Sequence, residues 1–168
     1  MKIIMKLFNV TIYIVTIFIL CPLLRGDSLR LTQEQRIVAM TILGEARGEG
    51  EVGMYAVACI IAQRSIAWKQ TPMQVCLKDW QFSCWNKNDP NRKKLPSLLN
   101  TPQAAYAKRL AVNLNTLQRD FIKYADHYCH INKNPFWSYK TITRKGKKIK
   151  IPIKPLVVIN RHKFYKLR

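Results

Sequence analysis

The run Leu43-Gly44-Glu45-Ala46-Arg47-Gly48-Glu49-Gly50 leads directly into the apolar stretch Val52 to Ala62, and so sets a carboxylate where water is scarce. With a helix over Thr32 to Gly44, Val38, Ile42 and Glu45 stand at i, i+4 and i+7 on one apolar face. Burial and a nearby helix C-terminus both favour the protonated acid. A glutamic acid that keeps its proton near neutral pH against an apolar wall suits protonation of a glycosidic oxygen. The bland alternative is a helix-terminal Glu45 that pairs with Arg47 or Arg64. Glu49 has two readings. If the helix persists, its carboxylate lies near that of Glu45 and the two form a glycosidase pair. If Gly48 and Gly50 break the helix, Glu49 bonds backbone amides and braces the turn.

Other residues suit carbohydrate recognition. Aromatic faces stack on sugar rings while amides and hydroxyls bond their edges, which makes Gln81, Phe82, Ser83 and Trp85 a candidate subsite wall. Phe136 and Trp137 with Tyr139 form another, although core packing is an equal alternative for Phe82 and Phe136. Tyr128 is placed to hydrogen-bond substrate or Glu45. His127, His130 and His162 carry a rival chemistry, a catalytic zinc site for a metal-dependent amidase. The His-x-x-His pair lacks the adjacent Glu of metalloprotease helices, so hydrogen-bonding or substrate-orienting histidines, His162 among them, are the favoured reading. No Cys-x-x-Cys occurs, and no metal or other cofactor is called for.

These residues need elements to hold them. Thr32-Gln33-Glu34-Gln35 is a capping-box pattern that starts the first helix. Glu51 to Trp68 reads as a second helix, apolar on every side from Val52 to Ala62 and hence running through the core, with Gln63 and Arg64 marking where it emerges. Thr71-Pro72 and Thr101-Pro102 each pair an N-cap with a proline at the first helical position, which predicts helices to about Leu77 and about Asn115. Asp79 to Asn100, with two prolines and no period, is a long loop of the kind that is usually functional. Past Asp120 a helix is expected to run to Tyr128. Ile149 to Ile151, Leu156 to Ile159 and Lys163 to Leu167 are short extended segments between prolines. The fold class is mainly α, an α+β single domain with a small C-terminal β element.

Gly44-Glu45-Ala46-Arg47-Gly48-Glu49-Gly50, with Gly53-Met54, Ala56-Val57-Ala58 and Gln63-Arg64 after it, resembles the cell wall hydrolases that include the spore cortex-lytic enzymes SleB and CwlJ. Val75-Cys76, Gln81-Phe82-Ser83-Cys84-Trp85, Asp126-His127-Tyr128, Asn134-Pro135-Phe136-Trp137 and His162-Lys163-Phe164-Tyr165 follow in the order and rough spacing of that family. The resemblance covers roughly residues 31 to 167. It implies a lysozyme-like, lytic-transglycosylase-like fold, with Glu45 as general acid on the MurNAc-GlcNAc glycan strand of peptidoglycan. A lytic transglycosylase needs only that one acid, which then acts as base on the C6 hydroxyl of the same muramoyl ring and leaves a 1,6-anhydro product. A hydrolase needs a second carboxylate. Two departures stand out: Gln63 replaces the family's usual Asn, and the basic segment Arg144 to Lys154 looks inserted. The alternatives are a zinc-dependent N-acetylmuramoyl amidase and a non-catalytic basic wall-binding protein.

The 168 residues suffice for one domain, 27–168, once an N-terminal segment is set aside. Met1 to Gly26, with Lys2 and Lys6 ahead of an apolar stretch, reads as a signal peptide or, alternatively, as a membrane anchor; either sets the domain outside the cytoplasm. The net charge is +20, and His127 to Arg168 holds twelve Lys or Arg and no acid. Such a tail attracts polyanions: anionic wall polymers, lipid head groups at a membrane surface, or stem-peptide carboxylates. A solvated basic surface without a single ligand is the even alternative. Nucleic acid is disfavoured, because no nucleic-acid-binding motif accompanies the charge. A monomer is expected. Of the remaining cysteines, Cys59 suits the core, while Cys76 and Cys84 lie close enough in sequence for a disulfide, with Cys129 left in the possible pairings.

Overall fold

In a computed structural model that describes residues 30–167, the first helix, α1, spans Gln33–Ala46. Its capping box forms as the sequence dictates: Gln35 N–H donates to Thr32 Oγ1 at 3.2 Å and Thr32 N–H to Gln35 Oε1 at 2.9 Å. The helix runs two residues past Gly44, because this glycine serves close approach instead of termination. A Cβ there would lie 2.7 Å from Cys84 Cβ and 2.9 Å from Leu95 Cδ2. Termination comes instead through a 3₁₀ turn, Arg47–Glu49, and Gly50 at φ 67°. Helix α2, Gly50–Trp68, buries its middle from Gly53 to Arg64, apart from the half-buried Tyr55 and Gln63, leaves both ends exposed, and ends in a left-handed Lys69. Arg64, expected near its point of emergence, is only 3% exposed.

Helix α3, Pro72–Leu77, has a second capping box, between Thr71 and Gln74. The long loop that follows contains a 3₁₀ turn, Ser83–Trp85, and a short helix α4, Leu95–Leu98. The next helix does not start at Pro102. Thr101 Oγ1 donates backwards to Leu98 O at 2.7 Å, so its cap is spent on the preceding turn, and α5 begins at Ala104 and ends at Val112. The expected helix to Tyr128 is also absent. A 3₁₀ turn, Arg119–Ile122, stops at two successive left-handed residues, Lys123 and Tyr124, and His127–His130 is strand β1. Long-range pairing with the chain terminus overrides the local preference there.

The remaining strands are β2, Tyr139–Arg144; β3, Lys147–Pro152; β4, Val157–Ile159; and β5, His162–Tyr165. An antiparallel sheet has the order β1-β5-β4, with His127 opposite Tyr165, His130 opposite His162 and Val157 opposite Phe164. Strands β2 and β3 form a separate hairpin from Tyr139↔Pro152 to Arg144↔Lys147. Lys145 and Gly146, both at positive φ, make its two-residue turn. Of the three extended segments expected at the C-terminus, Ile149 to Ile151 falls within β3, while Leu156 to Ile159 and Lys163 to Leu167 overlap β4 and β5 and run past their ends; β1 and β2 carry no alternating signal.

The core joins α1, α2 and α5 to Phe82, Cys84, Leu95, Ile122 and Phe164, which makes this the mainly helical α+β single domain expected. Among the described residues no helix is long and apolar enough to cross a membrane. The N-terminal segment Met1 to Gly26 lies outside the described residues.

Candidate active site

Glu45 sits in the last turn of α1, partly exposed instead of buried. Its Oε1 accepts from Cys84 N–H at 2.9 Å and from Ser83 Oγ at 3.1 Å, and its Oε2 accepts from Tyr128 OH at 2.8 Å. These donors are uncharged. Arg47 and Arg64, the alternative ion-pair partners, are committed elsewhere: Arg47 to Leu43 O, Gly44 O and Asn91 Oδ1, and Arg64 to Asp126 O at 2.7 Å and Gln81 O at 3.4 Å.

The loop reaches Glu45 for identifiable reasons. Gly44 lets Cys84 lie against α1. Trp85 Nε1 donates to Thr41 Oγ1 at 2.8 Å, while that hydroxyl donates to Ile37 O at 2.8 Å, so the indole is fixed one turn below Glu45. Phe82 is 1% exposed and packs its face toward the Arg64 guanidinium at 5.1 Å. That burial corrects its expected role, since a ring inside the core cannot stack on sugar. Phe82 instead anchors the loop. Ser83 contacts Glu45 directly, and Gln81 donates weakly to Asp79 O at 3.5 Å.

Burial first, and then the charge of Glu45, push the Tyr128 hydroxyl well above its ordinary pKa. It therefore keeps its proton and remains a donor across the neutral range. Its ring stacks on Phe164 at 5.8 Å and meets the edge of His162 at 5.3 Å. Burial lowers the His162 pKa, only partly opposed by Glu49, so this imidazole backs Tyr128 in neutral form. His130 faces His162 at 6.3 Å. His127, three residues along a strand from His130, points to the other face, against Trp137 at 5.1 Å. The three histidines do not converge, and among the described residues no group of three potential metal ligands occurs.

Glu49 does not pair with Glu45. Its carboxylate accepts from Arg161 Nε at 2.7 Å and Arg161 N–H at 3.3 Å, and Asn160 Nδ2 donates to its backbone oxygen at 2.7 Å. Burial raises its pKa, but the hydrogen bonds and charge of Arg161 outweigh that, and the net shift is downward. Glu49 thus ties the 3₁₀ turn to the β4–β5 turn, the bracing alternative. Cys76 and Cys84 are buried free thiols, not a disulfide, and burial pushes Cys76 up to about 12.

Two cavities flank the loop. One of about 470 Å³ is lined by Trp80, Gln81, His127, Tyr128, Phe136 and Trp137, together with Arg64 and Leu167. The other, about 520 Å³, includes Trp80, Trp85, Asn86 and Asp89. Trp80, common to both, was not among the residues expected from sequence. Its only sequence signal is an aromatic immediately before Gln81-Phe82-Ser83. Phe136 is 87% exposed, which removes its core-packing alternative.

The profile of the cell wall hydrolase family matches residues 48–151, well over half the chain. The chain belongs to the cell wall hydrolase family. The match takes in Ser83, Cys84, Tyr128 and Trp137, begins three residues after Glu45 and ends before His162. Membership makes the protein an enzyme that acts on the cell wall, outside the cytoplasm, with peptidoglycan as the polymer such hydrolases bind. No curated protein and no solved structure is similar enough to match this cell wall hydrolase.

Proposed function

We propose that this cell wall hydrolase is a lytic transglycosylase of the spore cortex-lytic type, which cleaves the MurNAc-GlcNAc bond with Glu45 as acid and then base. The observation that carries the reading is the Glu45 carboxylate held by Ser83, Cys84 and Tyr128, the last of which also lines an aromatic cavity. Protonated, Glu45 gives its proton to the glycosidic oxygen as the C1–O bond breaks and positive charge develops on the muramoyl ring. The carboxylate then takes the C6 hydroxyl proton as O6 bonds to C1. The proton has returned to Glu45, and no water is consumed. The donors around the carboxylate fix its orientation through both steps. Glu49 supports a one-acid route, since Arg161 occupies it and it is not offered to activate water.

Gln81, Trp85, Trp137 and His162 complete the proposed substrate-facing group, His162 indirectly through Tyr128. Met1 to Gly26 exports or anchors the catalytic domain 27–168. The basic β2–β3 hairpin holds it on anionic wall polymers or a membrane surface, and the protein works as a monomer. The test is Glu45→Gln, an amide that keeps the shape and cannot donate the proton. The variant should fold, still bind peptidoglycan and lose at least about 10²-fold in cleavage rate. Retained activity would falsify the role of Glu45, and a wild-type protein that binds without cleaving would leave only the wall-binding reading.

A further inference from the structure

Arg64 stands where a cation is expensive. It lies near the end of α2, is only 3% exposed, and holds its guanidinium between the rings of Trp68 at 5.2 Å and Phe82 at 5.1 Å. Burial pushes its pKa down, opposed by Tyr128, Asp126, Cys76 and Glu45. An apolar side chain of similar length would fill the slot between two rings without any loss of charge hydration. What the guanidinium adds is a fork of directed donors.

Those donors end on two separate chain segments. Nε donates to Asp126 O at 2.7 Å and Nη1 to Gln81 O at 3.4 Å. Just beyond Gln81, Ser83 Oγ and Cys84 N–H donate to Glu45 Oε1, and just beyond Asp126, Tyr128 OH donates to Glu45 Oε2. One guanidinium therefore stands behind both sides of the carboxylate. Each segment needs a tether for local reasons. Trp80, at φ 65°, puts a bulky residue in the left-handed region immediately before Gln81, a strained state that the surroundings must hold. Asp126 comes shortly after the left-handed Lys123 and Tyr124. Its N–H donates to Tyr165 O at 2.9 Å, and the bond from Arg64 fixes the peptide that follows.

We propose that Arg64 is a positioning residue for the cleavage reaction: it locks Gln81 in the loop and Asp126 at the start of β1 to helix α2, and so holds Ser83, Cys84 and Tyr128 on the Glu45 carboxylate. This role rests on the reading of Glu45 as acid and base. Lysine cannot fill it, because an ammonium is a point donor without the planar fork that reaches two carbonyls and stacks between two rings.

The test compares Arg64→Lys, Tyr128→Phe and the double variant in the full-length chain, assayed on soluble glycan fragments well below their melting temperatures. Arg64→Lys should lower kcat about tenfold or more with KM nearly unchanged. If Arg64 acts through the donors to Glu45, its loss and that of Tyr128→Phe do not multiply. The double variant should fall within about threefold of the worse single variant, where independent effects would give about 10²-fold. Multiplying losses, or a wild-type kcat in Arg64→Lys, would overturn the proposal. Hydrogen exchange reads the same tether without activity. In Arg64→Lys the Cys84 N–H should exchange about tenfold faster or more while the amides of α1 and α2 keep their protection. Unchanged protection at Cys84, or equal loosening of all three, would mark a residue that serves stability alone and overturn the proposal. Should Arg64→Lys fail to fold, Phe82→Leu, which removes one of the two rings around the guanidinium, must show the same non-multiplying loss with Tyr128→Phe. Wild-type cleavage by Glu45→Gln would remove the acid and leave the tether to be judged by exchange at Cys84.

Discussion

The loop that carries Ser83 to Trp85 and the β2–β3 hairpin are both polar, proline-flanked segments, yet the protein treats them in opposite ways. The loop is fastened from several sides: Phe82 and Cys84 are buried, Trp85 is bonded to Thr41, and Cys84 is pressed against Gly44. The hairpin is held by its own ladder and, at its base, by Ile153 N–H donating to Ser138 O at 2.8 Å. Arg144, Lys145, Lys147, Lys148 and Lys150 on it are all exposed. Proton transfer demands positions fixed to a fraction of an ångström, whereas attraction between a cationic surface and a polyanion acts over a Debye length and tolerates motion. Packing is concentrated where chemistry is proposed, and charge where only reach is needed.

The sharpest way to break this contrast is to loosen the loop from its helix. Gly44→Val places a branched side chain where even a Cβ meets Cys84 and Leu95 inside 3 Å. It should cost about 1–3 kcal/mol in denaturant unfolding and, by shifting Cys84 and Ser83 from Glu45, about 10²-fold in rate. A polar substitution on the hairpin, Ile149→Ser, should leave both quantities near wild type. Next in size is Tyr128→Phe, which keeps the ring stack and removes one donor to the Glu45 carboxylate. Turnover should fall about tenfold or more, the worth of a hydrogen bond to a charged group, with little change in melting temperature.

A smaller effect separates the brace from the acid. Glu49 has its pKa depressed in the fold, so its pair with Arg161 adds stability that is complete above the ordinary carboxylate value and lost as the pH falls through the folded value. Arg161 is largely exposed, which limits the pair to about 0.2–1 kcal/mol. Thermal melts of wild type and Glu49→Gln should differ at pH 7 and converge in acid below the folded value. A gap that widened as the pH dropped would contradict the pairing. Smallest in its effect on catalysis is neutralisation of Arg144, Lys145, Lys147, Lys148, Lys150 and Lys154 to Gln. Sacculus binding should weaken at low salt and barely change near roughly 0.5 M, where screening reaches only a few ångströms. Cleavage of short soluble fragments should stay constant. Loss of that cleavage with binding intact would make the hairpin part of the site.

What the sequence disclosed was what local chemistry decides. The capping box at Thr32 and the N-cap with proline at Thr71 are each complete within four residues, and the all-round apolar stretch of α2 admits few fates other than the core. Glu45 stood out by its position after Val38 and Ile42, although its partners are not local: Ser83 and Tyr128 lie 38 and 83 residues away. Strand β1 was hidden for the same reason, since His127–His130 acquires its conformation from β5. Thr101 looked like a cap facing forward because the sequence does not reveal that Leu98 O claims its hydroxyl. The left-handed backbone of Trp80 left no mark in residue type, and Arg64 reads as a surface cation until Trp68 and Phe82 are seen around it.

The central claim, that Glu45 cleaves glycan strands without water, is tested most directly by mass spectrometry of the fragments released from purified peptidoglycan. The account predicts muropeptides ending in 1,6-anhydromuramic acid from the wild-type chain and none from Glu45→Gln. New reducing ends would show that water is the acceptor, and free stem peptides beside intact glycan would show an amidase; either result would contradict it.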